Sequence, residues 1–145
     1  MKSLKNLIRM QKNVVDDKRR ELVRFQEEAD YLRQAAQKLE DEILAEQQAA
    51  RDNFEASFAY ANYHKAAMKR RDRLSQAIRA ADHSVELAAE AMREAFQELK
   101  RFEIAEEERL AREAAERKRK EAIMLDETAS IRFFRKRSDE EINGE

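Results

Sequence analysis

From Leu4 onward the apolar positions recur in alternating steps of four and three. One column holds Ile8, Val15, Leu22, Ala29, Ala36, Ile43 and Ala50, and the other holds Leu4, Gln11, Lys18, Phe25, Leu32, Leu39 and Glu46. Two such columns make the seam of a coiled-coil helix. A second seam runs through Ile78, Ala81, Val85, Ala88, Met92, Ala95, Leu99 and Phe102. Beyond Phe102 the pattern thins into EEERLAREAAERKRKEA, helical by propensity but with little face to bury.

Between the seams, residues 52–63 (DNFEASFAYANY) concentrate Asn, Ser and aromatics without a clean period, which makes them the turn candidate. A fold-back that sets residue i against residue 114 − i brings Leu4 to Leu110, Val15 to Leu99, Leu22 to Met92, Ala29 to Val85 and Ala36 to Ile78. Apolar meets apolar down the hairpin, and everything after about Leu110 is left without a partner. The expectation is therefore an all-α chain, a long antiparallel two-helix coiled-coil hairpin with a C-terminal single-helix overhang. Its boundaries are helix 1 at about 3–52, a turn at about 53–60, helix 2 at about 61–136 and a frayed tail at 137–145, in a single coiled-coil domain of residues 1–145. The competing arrangement is one uninterrupted helix in a parallel homodimer, for which the absence of Pro and of any Gly before Gly144 argues. Polar Gln11, Lys18 and Glu46 in the seam favour the hairpin, because they weaken association between copies and suit a register set by the chain's own turn.

Composition narrows the function classes. Apolar residues make up 42% of the 145, but 24 of these are Ala, which is thin for a compact core. Charged residues are another 42%, yet the net charge is only −1. Dense, balanced charge with abundant Ala, Leu, Glu, Arg and Lys belongs to long helices, whereas disorder goes with a large net charge. Without Gly and Pro the chain lacks the punctuation of sheets and of phosphate-cradling loops. With no Cys it has neither disulfides nor thiolate ligands. No apolar run approaches a membrane span, and the N-terminus lacks a signal-peptide stretch, so a soluble cytoplasmic protein is expected.

Catalysis needs groups held in a partly dry concavity, and a two-helix rod offers none, so no enzyme activity, catalytic residue, cofactor or metal is expected. His64 and His83 lie too far apart, with no ligand spacing between them, to suggest a metal site. Two basic clusters remain. Just past the turn, HKAAMKRRDR carries Lys65, Lys69, Arg70, Arg71 and Arg73 against Asp72 alone. With Tyr60, Tyr63, Lys65, Met68, Arg70 and Arg71 it forms a candidate contact surface at the tip. The second cluster, RFFRKR at 132–137, sets Phe133 and Phe134 among Arg132, Arg135, Lys136 and Arg137. Exposed aromatics flanked by Arg are the usual anchors of an interface. Ile123, Met124, Leu125, Arg132, Phe133, Phe134 and Arg135 are accordingly the candidate partner-binding residues. Nucleic acid is not an expected partner, since a nearly neutral chain lacks the positive potential that dominates such binding.

The sequence resembles the flagellar export chaperone FliJ family, in the short forms of alphaproteobacterial type. SLKNLIRMQKNVVDDKRREL is similar to the family's opening helix, in which a leucine pair precedes an acidic, basic and Leu segment, here Asp16, Asp17, Lys18, Arg19, Arg20, Glu21 and Leu22. Asn62 and Tyr63 match an Asn-Tyr pair of some members, REAFQELKRFEIA at 93–105 resembles the second helix, and Leu125, Asp126, Glu127 and Ala129 fit a C-terminal Asp-Glu motif. The chain departs from the family past Tyr63, where often apolar positions read Ala66, Arg70 and Arg73. The resemblance implies a fold like the antiparallel stalk of a rotary ATPase. It also implies a role in the flagellar type III export apparatus, with the export ATPase hexamer and the export gate protein as partners. Export substrates or their chaperones are further candidate partners, and membrane association would come only through partners, at the cytoplasmic face.

Overall fold

The computed structural model describes residues 3–144. It contains two helices, α1 (Leu4–Asp52) and α2 (Phe54–Asn143), packed against each other as a hairpin. Ser3 caps α1: its hydroxyl oxygen accepts the Asn6 N–H at 3.3 Å and its carbonyl accepts the Leu7 N–H at 3.1 Å. Asn53 alone separates the helices. Its side-chain oxygen accepts the Glu55 N–H at 3.0 Å, and its carbonyl accepts the Ser57 N–H at 3.0 Å. Glu55 adds a negative charge in the first turn of α2, where the helix dipole favours one.

The turn is thus much shorter than the expected 53–60, and α2 begins at Phe54 rather than about 61. The pairing of i with 114 − i centres the reversal on Ser57; it occurs about one helical turn earlier. Phe54 and Phe58 read as turn residues because they follow no burial period, and in the folded chain they are 89% and 85% exposed on the first turns of α2. The C-terminal boundary also differs. Residues 137–143 are helical rather than frayed, with no helix breaker before Gly144 and an Arg137–Glu141 pair at 3.7 Å one turn apart; Glu145 lies outside the described residues. Replacing Asn53 with Ala should lower the unfolding free energy by about 1 kcal/mol, and replacing it with Gly by only a few tenths, as measured by denaturant titration.

Two compact units are distinguished, Ile8–Leu99 and the pair Met1–Leu7 with Lys100–Glu145. In the first, both predicted seams are found. Every position of the two α1 columns in this unit is buried or half-buried except Glu46, which is exposed. Near the reversal the covered face has moved to Gln47 and Ala50, the drift expected of a helix with 3.6 residues per turn followed on a 3.5-residue repeat. On α2, Ala67, Ala81, Ala88, Ala95 and Leu99 are buried. Large side chains of α1 thus face a largely Ala column, which lets the helices approach closely. Val15 packs with both Ala95 and Leu99, one turn apart, as a knob between two neighbours. Nearer the reversal, Leu39 and Ile43 pack on Ala67, with Tyr63, Met68 and Leu74 alongside.

Polar groups also fix the register. Gln11 donates from Nε2 to the Ala95 carbonyl at 2.9 Å, so this seam amide is satisfied by the other helix. Arg33 donates to both carboxylate oxygens of Asp82 at 2.6 Å. Exposed pairs of this kind add little energy, but any slip of one helix along the other breaks them.

In the second unit the pattern fades as the sequence suggests. Phe102, Glu103, Ala105 and Ala114 are half-buried, Glu106 is buried, and every described residue from 115 onward is exposed.

Candidate functional site

The predicted partner-binding residues all lie on the exposed part of α2. Ile123, Met124, Leu125, Phe133 and Phe134 expose between 45% and 70% of their surface, and Ile131 and Ile142 join them at 53% and 71%. Side chains three, four and seven apart share a helix face, so these residues fall into two groups. Ile123, Ile131 and Phe134 line one shallow groove with Asp126, Glu127 and Ser130. Met124 and Leu125 line another with Glu121 and Thr128. Phe133 lies in neither groove, but its ring meets that of Phe134 edge-on at 6.0 Å and 72°. Arg132 and Arg135 are exposed and have no ion-pair partner among the described residues, which leaves their guanidinium groups open to a carboxylate from elsewhere. The segment thus presents apolar anchors and uncommitted cations on a helix with no covering face of its own.

The predicted tip surface is more committed. Tyr63 and Met68 are half-buried against Leu39, Ile43 and Ala67 and serve as part of the hairpin core. Burial raises the Tyr63 hydroxyl pKa above its usual value, and the Glu42 and Glu46 carboxylates push in the same direction, so Tyr63 is a neutral phenol. Arg71 pairs with Glu40 at 2.9 Å and reaches the Met68 sulfur at 3.7 Å, while Arg70 lies 3.9 Å from Glu42. The positive field read from the sequence is therefore partly cancelled by α1. Lys65 is exposed. Tyr60 is half-buried, its ring 6.3 Å from that of Tyr63 and 5.6 Å from His64. Sequence reasoning did not single out Phe54 and Phe58, the most exposed aromatics of the chain; their spacing of four within the first turns after an Asn cap is the signal that marks them.

A third arrangement was not foreseen. Glu106 is 8% exposed, and Arg109 grips both its oxygens, Nε to Oε2 at 3.0 Å and Nη2 to Oε1 at 2.9 Å, while also reaching Glu113 at 3.0 Å. Ser3, Leu4 and Lys5 border the same hollow. The hydrogen bonds from Arg109 hold the Glu106 carboxyl below the usual carboxylate range against the opposing cost of burial, and the charges of Arg109 and Lys5 reinforce them. A carboxylate with a depressed folded-state pKa stabilises the fold above its unfolded pKa, and that contribution is lost as pH falls through the folded value. Glu106→Gln should accordingly be less stable than the parent at neutral pH and indistinguishable from it in acid, by thermal melting across a pH series.

Among the described residues no group of three or more His, Asp or Glu is placed to hold a metal ion, and no helix is long and apolar enough to cross a membrane. The sequence profile of the Flagellar FliJ protein family matches residues 1–138. Searches of curated proteins and of solved structures gave no significant match. A profile spanning nearly the whole chain, on a two-helix hairpin with an uncovered helix face, shows what kind of protein this is: it belongs to the flagellar FliJ family, the non-enzymatic stalk component of the flagellar export apparatus.

Proposed function

We propose that the chain works as a stalk between partners in the export machinery, engaging the export ATPase hexamer through the exposed face of residues 111–144 and leaving the hairpin tip for the export gate protein. The observation that carries this reading is the run of helix from 115 to 143 in which every residue is exposed and large apolar side chains are interspersed with Arg and Lys. An ATPase channel that accepts a stalk must grip a helix without burying a broad flat face. A few aromatic and aliphatic anchors among charges suit that task. At the tip, Lys65, Phe54 and Phe58 are available to a second partner, while Arg70 and Arg71 are engaged by Glu42 and Glu40. Such a role places the protein in the cytoplasm, at the cytoplasmic face of the membrane when bound, and export substrates or their chaperones are further clients for the same rod.

Calorimetric titration of the purified export ATPase with the full chain and with a chain ending at Leu110 tests the reading. Loss of binding on truncation is the expected result. Unchanged binding would move the contact to the basic tip at Lys65 to Arg73. Absence of ATPase binding by the full chain would favour the rival function, a self-assembling coiled-coil scaffold with no ATPase partner.

A further inference from the structure

The uncovered part of α2 has a charge pattern that fits a copy of itself, in one orientation. Met124, Glu127, Ile131 and Phe134 fall on one stripe in steps of three and four, which Arg117 and Lys120 extend at one end and Ser138 and Glu141 at the other. The two shallow grooves flank this stripe, with Ser130 and Ile123 on one side and Glu121 and Thr128 on the other. This is the geometry of a coiled-coil seam whose holes are empty.

Parallel, in-register pairing would stack each stripe residue on its own copy. Arg117, Lys120, Glu127 and Glu141 would then each meet a like charge at the seam, a strong penalty against that orientation. Antiparallel pairing about a two-fold axis at the level of Ala129 removes every one of these clashes. Arg117 then faces Glu141 of the second copy, Lys120 faces Ser138, Met124 faces Phe134 and Glu127 faces Ile131. Each layer occurs twice by symmetry. On the rim, Glu121 lies beside Arg135 of the second copy, and Thr128 and Ser130 each lie beside their own counterparts. Among the described residues, Glu141 is held only by an exposed contact with Arg137 at 3.7 Å, so little is given up when it turns to another partner.

We propose that residues 116–142 are a self-recognition site that pairs antiparallel with the same segment of a second copy. Charge complementarity selects the orientation, and the Met124 and Phe134 layers supply the apolar contact. With few apolar layers the association is weak and reversible, so the chain exchanges between a free and a paired form. The proposal does not depend on the segment being the ATPase contact.

Sedimentation velocity of the full chain across about three decades of concentration reads the equilibrium directly. A concentration-dependent dimer is expected, weakened at least about tenfold by Met124→Ala with Phe134→Ala, with circular dichroism confirming unchanged helix content. Arg117→Glu should weaken the dimer about tenfold, and adding Glu141→Arg to the same chain should recover it, because the swapped charges face each other again across the axis. The chain has no Cys, so placed thiols report geometry without background. Mild oxidation of a mixture of Lys120→Cys and Ser138→Cys chains should give the mixed cross-linked dimer faster than either self-linked one. A chain that stays monomeric throughout, or a dimer indifferent to the Met124 and Phe134 changes, overturns the proposal. Preferential self-linking of Ser138→Cys would show a parallel pair and overturn it equally.

Discussion

Truncation of Leu39 to Ala should lower the unfolding free energy by about 2–4 kcal/mol, a large share of what holds a protein of this size together. Leu39 is 2% exposed and packs with Ile43 on Ala67. Ala67, the buried α2 residue of this cluster, is too small to refill the space, so the lost contacts are compounded by a cavity. Leu99→Ala falls in the same range, since it removes the largest α2 side chain of the cluster that Val15, Ala95 and Ile8 form with it. Glu86→Gln, on the exposed face, should change stability by less than about 0.5 kcal/mol. Urea titrations of the three variants check the contrast; comparable shifts from seam and surface changes would mean that the hairpin is not held by this seam.

The second large effect concerns binding rather than stability. Phe133→Ala combined with Phe134→Ala should weaken the complex with the export ATPase by at least about 1–2 kcal/mol, on the order of tenfold or more. Both rings are more than 60% exposed and meet each other edge-on, away from the seam, so their removal leaves the hairpin intact and the melting of the chain nearly unchanged. The neighbouring Arg132, Arg135 and Arg137 give a second readout. Contacts made by exposed guanidinium groups are screened by salt, so affinity should fall as ionic strength rises, whereas the apolar share persists. An affinity unaffected by the double change, measured at dilutions where the chain is monomeric, would remove these rings from the interface.

Much of the fold was legible because it depends on periodicity. The columns through Ile8 and Val15 and through Ile78 and Ala81 could be followed by eye, and burial follows them closely. The errors have local causes. Phe54 and Phe58 read as turn residues because they lie on the outer face of the first turns of α2, off the covered positions Ala56, Tyr60 and Tyr63. Asn53 carried the real signal, a side-chain oxygen positioned to cap the next helix. Glu46 falls in a strict heptad column, but the covered face of the 3.6-residue helix has by then drifted to Gln47. The state of the basic cluster was beyond reach for another reason: whether Arg70 and Arg71 are free depends on which carboxylates α1 brings opposite, and that is a property of register. Glu106 holds the next seam position after Phe102, but in a stretch that reads EEE its charge masks the burial it gains beside Ser3, Leu4 and Lys5.

No described residue of the helix beyond residue 115 is buried or half-buried in the single chain, and this gives it an unusual thermodynamic character. Positive heat capacity of unfolding comes mainly from newly wetted apolar area, and here less is wetted per residue than in the seam. Its order rests on propensity and on neighbouring ion pairs such as Arg119 with Glu116 at 2.9 Å, which favour helix without making its loss abrupt. Warming should therefore melt this stretch gradually from its end, visible as a sloping baseline in ellipticity well before the hairpin gives way. A calorimeter would register the seam of Ile8–Leu99 and pass almost silently over the rest, so that the measured heat capacity increment per residue comes out low for a chain of this length.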